Sequence, residues 1–174
     1  RNWVASNRNW NIENKVLIKI YDYYQIVDLA QSKTNNERKI KEIIFTNITQ
    51  SFYFVYEITD KSIRYENFRT TRNIFLASLR SVSRIDKLEA VKFGEKYEKL
   101  LDWRSIKTMF RLYMQIRNYK KAEELIFKHF EKLDKVLLDE FNQKILDVKN
   151  NSDNDLWMTY SEKNSIGYSN EYDM

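Results

Sequence analysis

The chain has no cysteine, no proline and one histidine, and its 174 residues include only two glycines, Gly94 and Gly167. Without cysteine there are no disulfides, thiol nucleophiles or thiolate zinc sites, and a single histidine excludes every metal motif built on a histidine pair. The lack of glycine and proline also removes the material of turn-rich folds. Hairpins and phosphate-cradling loops use glycine at positive φ, and sheet edges use proline, whereas helices joined by short polar links need neither. Long apolar runs are missing as well: Val16 to Ile20, with Lys19 inside, and Phe52 to Tyr56 fall far short of the roughly 20 residues of a membrane span. Nothing reads as a signal peptide.

What is present is 43% hydrophobic, 32% charged and 15% aromatic residues, enough apolar material for a core and too much for a disordered chain. The expected fold is all-α, an irregular and partly repeat-like bundle of six or seven antiparallel helices over residues 1–149, followed by a polar acidic tail, 150–174. The net charge is +5, but the tail carries five acids and one base, so the body stands near +9. Such a body suits an acidic protein partner, an anionic membrane surface or nucleic acid, although its cations are interleaved with acids in the manner of solvated helices. The expected location is the cytoplasm, at or near a membrane surface.

Residues 1–11 form a polar lead-in with Trp3 and Trp10, and Asn11 is placed to cap a helix carrying Ile12, Val16, Ile20, Tyr23, Val27 and Ala30 at helical spacing. Thr34 and Glu37 have the spacing of a capping box ahead of a long stripe, Ile40, Ile44, Ile48, Phe52 and Val55, whose end has strand-like composition. A link at Asp60 to Ser62 leads to a helix with Phe68, Thr71, Phe75, Leu79 and Val82 inward. Ser83 and Asp86 mark a new cap, after which Ile85, Leu88 and Val91 run to Gly94, a candidate left-handed C-cap or a tolerated helical glycine. Asp102 precedes a helix with Ile106, Met109, Phe110 and Tyr113, Asn118 breaks it, and Tyr119, Ala122, Leu125 and Ile126 define the next. Asp134 caps a last helix with Leu137, Phe141 and Ile145.

The candidate working face is a row of bases. Arg69, Arg72, Arg80, Arg84 and Lys87 fall within about 120° of arc if 63–90 is one helix, largely opposite Phe68, Phe75 and Val82. Guanidinium groups so arranged can fork onto phosphates or carboxylates. No catalytic constellation appears. His129 has no serine or carboxylate at relay spacing, Glu123 and Glu124 point to different sides of their helix, and Asp153-Asn154-Asp155 sits in the polar tail with no strand before it. No metal ligands and no cofactor are expected. The many aromatic residues, mostly at core phase, are expected to fill gaps between helices. Asn47-Ile48-Thr49 is a glycosylation sequon on paper, within a helical stripe.

Two resemblances follow from these residues. Trp103 to Phe130 resembles one tetratricopeptide-type hairpin, with Ile106, Met109, Tyr113, Tyr119, Ala122 and Ile126 at its core positions and Phe110 where that repeat wants a small residue. The passages RNWVASNRNWNIENKVLIKIYDYYQIVDLA, FTNITQSFYFVYEI, FRTTRNIFLASLR and KLEAVKFGEKYEKLL, in that order, resemble the helical region after the catalytic domain of bacterial family-2 glycosyltransferases of cell-surface polysaccharide assembly. The likeness spans roughly residues 1–145. It implies that the nucleotide- and metal-binding domain lies upstream of Arg1, and that this piece is a non-catalytic accessory bundle for protein interaction or oligomerisation. The other expectations are a nucleic-acid-associated helical subunit and a stand-alone protein-binding domain.

Overall fold

The computed structural model describes residues 21–151. The expected cap at Asn11, the lead-in tryptophans and the acidic tail with Asp153 and Asp155 lie outside the described residues. Within them the chain is helical with no strand, as the composition requires. Eight α-helices are present: α1 (residues 21–31), α2 (Glu37–Ile48), α3 (Tyr53–Tyr65), α4 (Phe68–Ile85), α5 (Lys87–Lys96), α6 (Trp103–Gln115), α7 (Tyr119–His129) and α8 (residues 135–151). Short 3₁₀ turns follow α5 at Glu98–Leu100 and α7 at Phe130–Lys132.

Contacts divide the chain into two compact units, 1–117 and 118–174. In the first, α4 is the central element, touching α2, α3, α5 and α6. Its buried residues, Thr70, Thr71, Ile74 to Leu79, Ser81 and Val82, surround most of its circumference. The small residues Ala77, Ser78 and Ser81 are fully buried on it, and an aromatic cluster packs at Phe75. Phe75 stacks on Phe93 at 5.4 Å between centroids, and Tyr97 meets Phe93 edge-on at 5.1 Å. The Tyr97 hydroxyl donates to the Asp60 carboxylate at 2.6 Å. Burial and that carboxylate raise the phenol's pKa well above its ordinary value. In the second unit, α7 and α8 pair antiparallel, with Lys149 near the end of α8 bridging to Glu123 near the start of α7. Leu125, Ile126, Leu137, Phe141 and Ile145 are buried there.

Helix boundaries follow local hydrogen bonding more closely than periodicity, and three expectations change accordingly. The stripe from Ile40 to Val55 is two helices: the Asn47 carbonyl accepts from the amides of both Gln50 and Ser51, closing a turn that the four-residue spacing of Ile48 and Phe52 conceals. Asp60 to Ser62 is the interior of α3, because the Ser62 hydroxyl is satisfied within the helix, donating to the Thr59 carbonyl at 2.8 Å. Thr34 does not cap α2. The Asn35 side chain accepts from the Glu37 amide, and the Glu37 carboxylate is held by Arg80 instead of reaching back to close a box. Of the two readings of Gly94, the helical one holds: it is a buried residue inside α5, with no positive φ.

Asp86 and Asp134 cap α5 and α8 as expected, but Ser83 lies inside α4, its hydroxyl donating to the Arg80 carbonyl at 2.8 Å, and Ile85 ends α4 instead of opening the next helix. Asn118, expected as a break, also caps α7. Asp102 closes a full capping box with Ser105. The two helices of the tetratricopeptide-like segment fall in different units, α6 in the first and α7 in the second.

A cationic cleft beside the central helix

Asn67 begins α4 by accepting from the Thr70 amide at 2.8 Å, and Asp86, with extended backbone, ends it. The span 63–90 is therefore three helical segments, and the row of bases is cut before its last member. Arg69, Arg72, Arg80 and Arg84 share α4, whereas Lys87 is the first residue of α5, beyond the break, and leaves the row. Phe68 is also displaced from its expected place. It is 54% exposed rather than in the core, and the Arg72 guanidinium lies over its ring at 4.0 Å. One helical turn separates the two residues, which puts them on the same side of α4.

Three of the four arginines open into one cleft of about 770 Å³ in the first unit. Arg69, Arg72 and Arg80 line it from α4, the loop between α1 and α2 (residues 32–36) closes one side, and Asp102, Trp103 and Arg104 at the start of α6 close another. Arg84 is exposed and is not among the lining residues; the Phe45 ring lies 5.8 Å from its guanidinium.

The arginines differ in how far their charge is already used. Arg80 donates from Nη1 to both oxygens of Glu37 at 2.7 Å, and from Nε to the Thr108 hydroxyl at 3.4 Å. Lys41 adds a longer contact to the same carboxylate at 3.7 Å. Arg104 forks onto Asp102, with Nη2 at 2.8 Å and Nε at 3.1 Å, and Nη2 also donates to the Asn73 side-chain oxygen at 3.1 Å. Asn73 in turn donates to the Ala30 carbonyl, which ties α1, α4 and α6 together at the floor of the cleft. Burial pushes the Asp102 carboxyl up, but the Ser105 amide and the Arg104 guanidinium hold it below the usual carboxylate range.

Arg69 and Arg72 have no acidic partner among the described residues. Arg72 Nε is buried with no hydrogen-bond acceptor, a position whose cost is about 1–3 kcal/mol unless an acceptor is supplied. Stacking on Phe68 restrains the guanidinium plane. Among the described residues five bases, Lys33 included, line the cleft, and the only two acids, Glu37 and Asp102, are both bonded within it. The surplus is +3, and its chemistry is that of an anion receptor.

Sequence spacing found Arg69, Arg72 and Arg80. It missed Asn73, on α4 itself, and Trp103 and Arg104, which line the cleft from the start of α6. It also missed Glu37 as the partner of Arg80. The other candidates lie apart. His129 is buried in the second unit, Glu123 is paired to Lys149, and the sequon residue Asn47 donates its amide to Asp22 and to the Ile43 carbonyl. No group of three or more metal-ligating side chains occurs among the described residues, and no described helix is long and apolar enough to cross a membrane. No protein-family model, curated protein or solved structure matches the chain.

Proposed function

We propose that the chain is a non-catalytic helical interaction module that docks on an anionic surface through the cleft face of α4. The observation that carries this reading is the pair Arg69 and Arg72, which line one cleft with no carboxylate among the described residues to neutralise them, on a body whose net charge is near +9. The resemblance to the helical region behind glycosyltransferase catalytic domains supports a setting: an accessory part of a cell-surface polysaccharide glycosyltransferase, leaning on the lipid surface where its acceptor resides. Each base close to an anionic bilayer contributes roughly 1 kcal/mol, so a small cluster suffices for peripheral attachment.

The test is sedimentation of the chain with phosphatidylglycerol-containing vesicles and with neutral phosphatidylcholine vesicles, at low and near-physiological salt. Binding to the anionic vesicles alone, weakened by salt, is expected. The reversal Arg69→Glu should lower it at least about tenfold, since it replaces an attraction with a repulsion. Binding that is unchanged by that reversal would remove the face from the account. A salt-independent oligomer with no affinity for either vesicle would favour self-association instead.

A further inference from the structure

The cleft is more selective than an electrostatic face needs to be. A protein that only leans on negative charge uses lysines and arginines on long, exposed side chains, whereas here one guanidinium is fixed. Arg72 is half-buried and stacked on Phe68, its Nε is buried without an acceptor, and Arg69 stands one turn away with its side chain exposed. Trp103, the first residue of α6, lines the same cleft and is 52% exposed. Hydroxyl groups of Ser32 and Thr34 line the loop side. A volume of about 770 Å³ lies within the range of small-molecule sites.

From this arrangement we infer that the cleft is a binding site for a phosphate monoester, with the phosphoryl oxygens on Arg69 and Arg72 and a ring-bearing substituent against the Trp103 indole. The inference rests on the anion-directed reading of this face and adds the ligand's chemistry to it. A carboxylate carries one charge and two acceptor oxygens. A monoester near neutral pH approaches two charges on three oxygens, which answers the +3 surplus and offers an acceptor to Arg72 Nε while another oxygen meets Arg69. The indole supplies a flat apolar wall for the remainder of the molecule.

The same phosphoryl chemistry is carried by a soluble metabolite or by a lipid headgroup, and the probes separate the two. The full chain is titrated with phenyl phosphate, with inorganic phosphate and with phosphatidic acid vesicles, reading tryptophan fluorescence, and Trp103→Phe identifies the responding ring. Saturable binding of phenyl phosphate, tighter than that of inorganic phosphate and sensed through Trp103, is expected. Arg69→Ala and Arg72→Lys should each weaken it about tenfold or more, the second because lysine keeps the charge and loses the fork. Arg64→Ala, which removes an exposed base at the end of α3 and outside the cleft, should leave it unchanged. Melting curves check that Arg72→Lys folds, and Arg69→Ala, on an exposed side chain, carries the test if it does not.

Preference for phosphatidic acid over phenyl phosphate, with the same variant pattern, assigns the site to a lipid headgroup; the reverse preference assigns it to a soluble ester. Absence of saturation with all three probes overturns the inference, and so does equal weakening by Arg64→Ala. If anionic vesicles still bind and respond to Arg69→Glu while phenyl phosphate neither binds nor competes, the docking face stands and the phosphate site alone fails.

Discussion

Replacing Phe75 with alanine is expected to destabilise the chain by about 3–5 kcal/mol and to lower its melting temperature by about 10–20 °C. Phe75 is 0% exposed on the central helix, stacked on Phe93 and in edge contact with Tyr97 at 6.2 Å. Removing the ring deletes its transfer free energy and leaves a cavity between α4 and α5, whose helices are held on several sides and collapse only in part. Since α4 also carries Arg69, Arg72 and Arg80, the loss should reach the cleft, and anion binding should weaken at temperatures where the variant begins to melt. Thermal unfolding followed by circular dichroism checks this. A loss below about 1 kcal/mol would mean that the aromatic cluster is not the packing centre of the first unit.

The second large effect is expected at Gly94. A Cβ there would overlap the Met109 sulfur and lie 2.8 Å from its methyl carbon and 3.4 Å from Leu79 Cδ1, so the end of the buried Met109 side chain occupies the space that a side chain at 94 would need. Alanine gains about 1 kcal/mol of helix propensity against this overlap, so its net effect is smaller than the clash alone suggests. Valine adds two further methyl groups, and Gly94→Val is expected to cost about 1–3 kcal/mol or somewhat more from overpacking. Met109→Ala should cost about 2–5 kcal/mol by itself through the cavity it opens. In the double variant the valine fills part of that cavity, so the combined loss should fall short of the sum by at least about 0.5 kcal/mol. Additive losses in denaturant unfolding would show that the two residues do not share one space.

These positions show which parts of the fold were legible in the sequence. The all-α class follows from the near absence of glycine and proline, and the helix boundaries at Asp86, Asp102, Asn118 and Asp134 are local signals, read within a few residues of where they act. The burial of α4 is not local. Thr71 is buried as its place in the inward stripe implies, but Thr70, Ser78 and Ser81, outside that stripe, are buried too, because helices pack around α4 on several faces. Thr71 meets its hydrogen-bonding needs on the Ser62 and Asn67 carbonyls, which a one-dimensional pattern cannot anticipate. Gly94 offers the same lesson. A glycine near a helix end suggests a cap, and only the position of Met109 on another helix reveals a packing contact.

The cleft was half legible. Helical spacing brought Arg69, Arg72 and Arg80 together, since three residues on one helix share a face whatever the rest of the chain does. The same spacing gave no sign that Arg80 is bonded to Glu37, 43 positions away in the chain, or that Arg104 and Trp103 line the same cleft. Those relations exist only once α2 and α6 have packed on α4. They convert a row of similar charges into a graded set, with Arg80 and Arg104 structural and Arg69 and Arg72 available.

The central claim, that the cleft is the place where an anion binds, is tested most directly by following the arginine Nε–H resonances of the isotopically labelled chain during a titration with phenyl phosphate. Because the Arg72 Nε–H is buried and has no acceptor within the described residues, its resonance is expected to move furthest, together with that of Arg69, while those of Arg64 and Arg84 stay in place. Shifts spread evenly over the exposed arginines, or no movement at Arg72, would contradict the account.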